Sequence, residues 1–147
     1  MRKILVIEDD PSALKFTAYA LEQEGYQVLT AANGVEGLKM AQEENPDLVV
    51  LDVLLPGMDG FELCHRLRNA DATAKLPILM LSVKAKTSDR STGLKVGADE
   101  FLSKPIGPDE LVAGVGRVLE HKGAVPMEEG EDVSEYLKFW PHEERKG

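Results

Sequence analysis

The sequence predicts an α/β fold, with a parallel β-sheet covered by helices on both faces. Five short apolar segments recur: ILVI (4–7), QVLTA (27–31), DLVVLD (47–52), PILMLS (77–82) and EFLSK (100–104). Stretches with apolar residues at helical spacing separate them, so the order is β-α repeated five times, the pattern of parallel sheets. The first, third and fourth segments are nearly unbroken apolar runs, as strands covered on both faces require. The second and fifth are more mixed, which places them at or near the sheet edges.

The helices follow in order. Residues 11–24 carry Leu14, Ala18 and Leu21 on one face, with Pro11 suited to a first turn and Gly25 to a C-terminal stop. Residues 35–44 follow Asn33-Gly34 and contain Val35, Leu38 and Ala41. Residues 59–69 contain Phe61, Leu63, Cys64 and Leu67, and begin at Asp59-Gly60 after the turn signal Pro56-Gly57. Residues 87–96 offer Leu94 and Val96 and stop at Gly97. Residues 108–121 start at Pro108-Asp109 and carry Leu111, Val112, Val115, Val118 and Leu119. After Lys122 the chain turns acidic and loses its apolar period, so the domain is expected to span residues 1–122. Residues 123–147 read as an acidic linker and a short amphipathic tail helix. Asp132 and Glu135 form a capping-box pair there, with Val133, Tyr136, Leu137 and Trp140 on one face and Pro141 as the stop. Two turns of helix are not stable alone, so the tail is expected to dock on something.

Composition excludes several classes. The 147 residues suffice for one domain burying roughly 70% of its unfolded surface. The net charge of −9 argues against direct nucleic-acid binding by this chain and against attraction to anionic membranes. Cys64 is the single cysteine, so no internal disulfide forms, and no Cys/His spacing suggests zinc. The N-terminal apolar run of four residues is too short for a secretion signal or a membrane span. A reducing, cytoplasmic setting is the expectation.

In open parallel sheets, sites form beyond the C-terminal ends of the strands, where the strand order reverses. Those ends carry Glu8, Asp9 and Asp10 after the first strand, Asp52 at the third, Ser82 at the fourth, and Lys104 before Pro105 at the fifth. Gathered carboxylates raise one another's pKa unless a cation is near. A hard divalent ion such as Mg²⁺ suits one or two carboxylates plus phosphate oxygens. An aspartate beside Mg²⁺ and a lysine can act as a nucleophile toward a phosphoryl group. Asp10 reads instead as a first-turn carboxylate favoured by the helix dipole, and Cys64 as a small core residue.

The set "ILVIEDDPSAL", "PDLVVLDVLLPGMDGFEL", "PILMLS", "GLKVGADEFLSKPI" and "DELVAGV", in this order, closely resembles the receiver domain of two-component response regulators, over about residues 1–121. The resemblance implies a flavodoxin-like sheet in the order 2-1-3-4-5 with five helices. It implies that Asp52 is the phosphoacceptor, that Asp9 binds Mg²⁺ directly, and that Glu8 assists through water. The Leu54 carbonyl stands at a metal-ligand position. Ser82 and Lys104 match the hydroxyl and ammonium that bind the phosphoryl group. The Lys104–Pro105 bond is expected to be cis, an uncommon state even before proline. Phe101 occupies a switch-aromatic position. The implied partners are a histidine kinase or phosphotransfer protein and a downstream protein or output domain, reached through the fourth helix, fifth strand and fifth helix. A phosphorylation-dependent dimer is among the implied states. On this reading the chain is a switch rather than an enzyme, catalysing only phosphotransfer to Asp52 and hydrolysis from it.

Five positions depart from the family pattern. Val83 is bulky where relatives carry a small residue and is expected to crowd the phosphoryl pocket and slow phosphorylation, and Leu54 and Lys84 stand at positions that influence dephosphorylation. Leu54 has no side-chain hydrogen bond with which to orient water. Gly114 and Gly116 replace arginines common in receivers that dimerise through the fourth and fifth helices, leaving a smooth surface on which the tail helix is expected to fit. The alternative function is a Mg²⁺-dependent aspartyl-phosphate phosphatase or phosphotransferase, but Leu54 stands where such phosphatases place a second aspartate. A flavin site is disfavoured because the loop after the first strand presents carboxylates to any phosphate.

Overall fold

The computed structural model describes residues 1–120. The strands are β1 (Lys3–Ile7), β2 (Gln27–Ala31), β3 (Leu48–Leu51), β4 (Ile78–Ser82) and β5 (Glu100–Ser103). They alternate with α1 (Pro11–Glu22), α2 (Gly34–Glu44), α3 (Gly60–Arg68), α4 (Thr87–Lys95) and α5 (Pro108–Glu120). A short 3₁₀ turn, Asp71–Thr73, precedes β4. All neighbouring strands pair in parallel, in the order β2-β1-β3-β4-β5. The three unbroken apolar runs are the interior strands, and the two mixed segments are the edges.

The period of two along each strand divides the core. Ile4, Val6, Leu48, Val50, Leu79 and Leu81 face α1 and α5, meeting Leu21, Leu111, Val115 and Val118. Leu5, Ile7, Val49, Leu51, Ile78 and Met80 face the other side, where Ala41, Phe61, Leu63, Cys64, Leu67 and Val96 cover them. Full burial of each such aliphatic chain contributes about 1.5–3 kcal/mol. A register slip of one residue would swap every strand side chain between these two cores.

Three helices begin on side-chain caps. Asp10 accepts from the Ala13 N–H, Asn33 from Glu36, and Asp59 from Glu62, at 2.9, 2.8 and 2.9 Å. Glu36 returns a bond to the Ala32 N–H, and Asn45 ends α2 in the left-handed conformation at φ 50°. Asp10 is thus a cap, as its place in the sequence suggested. Cys64 is fully buried in the core, where burial pushes its thiol up to about 12.

Several apolar positions do not face inward. Val35 is exposed, and α2 instead buries Gly34 and Gly37. A Cβ on Gly37 would lie 2.5 Å from Ile7 Cδ1, so the helix sits too close to β1 for any side chain there. Leu94 is also exposed, while Gly93 packs against Phe101 and Met80. Gly114 likewise is not part of an outer surface. It is buried, and an added Cβ would stand 2.7 Å from Leu102 Cδ1. Only Gly116 of that pair has open space around it. The expected smooth patch therefore loses half its basis. The domain boundary near 122 and the tail helix with its docking lie outside the described residues.

Two glycine variants test this packing. At Gly60 a Cβ would meet the Asp52 carbonyl oxygen at 2.3 Å and the Val53 Cα at 2.7 Å, both backbone atoms. Gly60→Ala should lower unfolding free energy by about 1–3 kcal/mol in a urea titration. Gly116→Ala should raise it by about 0.5–1 kcal/mol.

Candidate functional site

The site lies at the C-terminal edge of the sheet, beyond the ends of neighbouring β1 and β3, where the strand order reverses. Parallel pairing brings the chain to the same level at each strand end: the Asp52 N–H donates to the Ile7 carbonyl at 3.2 Å, and the Lys104 N–H to the Ser82 carbonyl at 3.0 Å. Glu8, Asp52, Ser82 and Lys104 therefore leave the sheet together. Glu8, Asp52 and Ser82 are all buried, Ser82 completely.

Lys104 organises the cluster. Its Nζ donates to Asp52 Oδ2 at 2.9 Å and to Glu8 Oε1. The other oxygens are also engaged: the Leu54 N–H donates to Asp52 Oδ1 at 2.9 Å, and the Asp10 N–H to Glu8 Oε2 at 3.1 Å. The Lys104–Pro105 bond is cis, as expected. Asp9, by contrast, is exposed. Leu54 meets Asp52 through its amide, and the residue is 47% exposed. Val83, expected to crowd the site, is 62% exposed, so most of its surface faces solvent rather than packing into the crevice.

The electrostatics follow from two carboxylates sharing one ammonium. Burial works against the charged Lys104, but its bonds to Glu8 and Asp52 outweigh that and hold its pKa above the ordinary lysine value. Burial pushes the Glu8 carboxyl up, and nearby Asp52 adds to the rise, while the bonds from Lys104 and the Asp10 N–H offset only part. Glu8 is the under-compensated member. The sequence argument called for a cation among these carboxylates, and the protein's own ammonium stands there. Among the described residues, no three His, Cys, Asp or Glu side chains converge as a metal cage. Mg²⁺ needs no such cage, because it keeps several waters and takes one or two carboxylates. Hard oxygen donors carrying a residual negative charge, with exposed Asp9 adjoining, fit that ion.

Ser82 and Phe101 lie on the flank toward α4. The Ser82 Oγ accepts from the Lys84 N–H at 3.1 Å. Phe101 is buried, with its ring against Gly93 and the Arg90 guanidinium 5.5 Å from its centroid. Arg90 also donates to the Phe101 carbonyl at 3.0 Å and to the Ser103 hydroxyl at 3.3 Å. The sequence reading missed Arg90 and Asp89. Their signal was present but thin: a charged pair in the first turn of a helix with almost no apolar residues.

The rise in Glu8 has a testable sign. A carboxyl raised in the fold adds stability below its unfolded value of 4.5, and that stability is lost as pH rises through the folded value. Glu8→Gln should therefore be more stable than wild type at pH 7, with the gap closing toward pH 5. Urea titrations of both proteins at the two pH values measure the gap, and a gap independent of pH would contradict the burial of an under-compensated charge.

Comparison with known proteins bears on the family and the fold. A family model described as the response regulator receiver domain matches residues 4–116. The alkaline phosphatase synthesis transcriptional regulatory protein PhoP of Bacillus subtilis is 46% identical over 118 residues, which cover 80% of this chain and 48% of that protein. The chain spans about half the length of the curated relatives it matches. The chemotaxis response regulator CheY4 of Vibrio cholerae superposes with a TM-score of 0.76 at 36% identity, over 80% of this chain and 98% of that one. The receiver domain of sensor histidine kinase PA1611 from Pseudomonas aeruginosa, solved with a magnesium ion coordinated in its active site cleft, gives a TM-score of 0.76 at 28% identity, over 81% and 98%. Among the described residues, no helix is long and apolar enough to cross a membrane. With its 2-1-3-4-5 sheet and acidic, lysine-bearing edge, the chain belongs to the response regulator receiver domain family.

Proposed function

We propose that Asp52 is the phosphoacceptor of this receiver domain, taking its phosphoryl group from a histidine kinase or a phosphotransfer protein. The observation that carries this is a buried Asp52 bonded by Lys104 and by the Leu54 N–H, in the switch crevice of the sheet. A carboxylate with both oxygens held by donors is fixed for in-line attack rather than free to rotate. One Asp52 oxygen forms the new P–O bond, and the P–N bond of a phosphohistidine breaks. The imidazole leaves with its electron pair and takes up a proton.

Glu8, Asp9, Asp52 and the Leu54 carbonyl would hold Mg²⁺, which when bound neutralises charge on the phosphoryl oxygens. The other donors belong to the chain. Lys104 can follow the new negative charge, because it already sits on Asp52, and the Ser82 hydroxyl lies on the neighbouring strand end. A gain of roughly two negative charges at this point would pull on both. Movement of Ser82 and Lys104 bears on α4, β5 and α5, and so on a partner's affinity through a shift of populations. Arg90 and Phe101 mark where that movement would be felt. PhoP is named a transcriptional regulatory protein; for this chain a downstream protein or an output domain is the proposed reader, and a phosphorylation-dependent dimer is a further proposed state.

Hydrolysis of the acyl phosphate is the slow step of the proposed cycle. Leu54 presents an exposed aliphatic side chain next to Asp52, with nothing to orient an attacking water. The Lys84 ammonium is drawn to Asp89 at 3.2 Å.

Incubation with Mg²⁺ and acetyl phosphate should add one phosphoryl group by intact mass to wild type and none to Asp52→Asn. No gain on wild type would refute the reading. The phosphoryl group should then persist for minutes or longer at neutral pH, and decay within seconds would contradict the role given to Leu54. Val83→Ala should leave the phosphorylation rate within about twofold of wild type, as expected of a change to a largely exposed side chain.

A further inference from the structure

The loop between β4 and α4 is tied to the helix that follows it. Asp89, in the first turn of α4, is buried. Its Oδ2 accepts from the Lys86 N–H at 3.0 Å, and its Oδ1 pairs with the Lys84 ammonium at 3.2 Å. One carboxylate thus holds residue 84 by its side chain and residue 86 by its backbone. Residue 84 is also the one whose N–H donates to the Ser82 Oγ at 3.1 Å. The chain of contacts runs from Asp89 to Lys84 and from Lys84 to the Ser82 hydroxyl.

A serine hydroxyl has one proton to donate and two lone pairs. Here the Lys84 N–H occupies a lone pair. Ser82 is completely buried, and among the described residues no hydrogen bond has its hydroxyl as donor. Its O–H proton is thus not committed to another side chain or carbonyl of the described residues. The charge that would satisfy it is a phosphoryl oxygen on Asp52.

We propose that Asp89 is a positioning residue for phosphoryl binding: by clamping Lys84 and Lys86 it keeps the Lys84 N–H on the Ser82 oxygen, so that the hydroxyl proton stays available to the phosphoryl group. This rests on the phosphoacceptor reading of Asp52. Without the clamp the loop carries the amide away, the hydroxyl loses the bond that fixes its rotamer, and the incoming group must reorganise it.

The test is a double-mutant cycle with beryllofluoride, a tetrahedral phosphoryl mimic, titrated with Mg²⁺ by calorimetry. Asp89→Asn keeps an acceptor for the Lys86 N–H and removes the ion pair; Ser82→Ala removes the hydroxyl. Asp89→Asn should weaken beryllofluoride binding about three- to tenfold, the scale of coupling within one hydrogen-bond network. In the Ser82→Ala background the same substitution should change it by less than about twofold, as for sites that no longer interact. A purely structural role would weaken both backgrounds alike. Lys84→Met, which spares both amides, carries the same cycle if Asp89→Asn melts early. Unchanged or tighter binding in the single variant, or equal weakening in both backgrounds, would overturn the proposal. Wild type failing to bind beryllofluoride at all would instead refute the phosphoacceptor reading, and this inference with it.

Discussion

The structure depends on one ammonium between two buried carboxylates. Lys104 bonds Asp52 and Glu8 at the edge where the C-terminal ends of β1, β3 and β5 lie together. Two carboxylates taken out of water without that charge would be strongly unfavourable. With it the cluster is stable but not neutral, and Glu8 shows the imbalance in its raised pKa. That residual negative charge is what a divalent cation would relieve. The site is poised to exchange partners because none of its charges has a private one.

The sheet order makes this arrangement possible. β3 lies between β1 and β4, so its end delivers Asp52 between the acidic turn after β1 and the Ser82 end of β4. Lys104 stands one strand further out and must reach across β4 to arrive. A long, flexible side chain meets that need where an aspartate or serine could not. Gly60 matters for the same reason. The first residue of α3 lies against the Asp52 carbonyl, so the helix after β3 packs directly under the acceptor. Rigid backbone on one side and a flexible ammonium on the other give Asp52 a fixed position and an adaptable counter-charge.

Most of the fold was legible in the sequence because strand burial writes itself as apolar runs. Interior β1, β3 and β4 and edge β2 and β5 are distinguishable by how continuous those runs are. The residues at the strand ends were legible too, since a carboxylate closing a run such as LVVL has no packing reason to be there. Less legible were close approaches. Val35 and Leu94 were counted toward the core on hydropathy, but Gly37 and Gly93 make the contacts, and a glycine carries no apolar signal. Gly114 was assigned to an outer face for the same reason. Second-layer contacts were also hidden. Nothing in the spacing of Lys84, Lys86 and Asp89 says which oxygen meets which amide, because a loop has no period to read. The cation was half legible. Clustered acids call for positive charge, and Lys104, 52 and 96 residues from the two acids in the chain, supplies part of it from within the fold, which spacing along the chain does not show.

The central claim is that this cluster exists to make Asp52 the group that carries a phosphoryl. Borohydride reduction of the acetyl phosphate-treated protein, followed by peptide sequencing, reads this residue by residue, since only an acyl phosphate is reduced to the alcohol. The account predicts conversion of Asp52 to homoserine and no conversion at Glu8, Asp9 or Asp10. Conversion at one of those residues, with Asp52 intact, would contradict it.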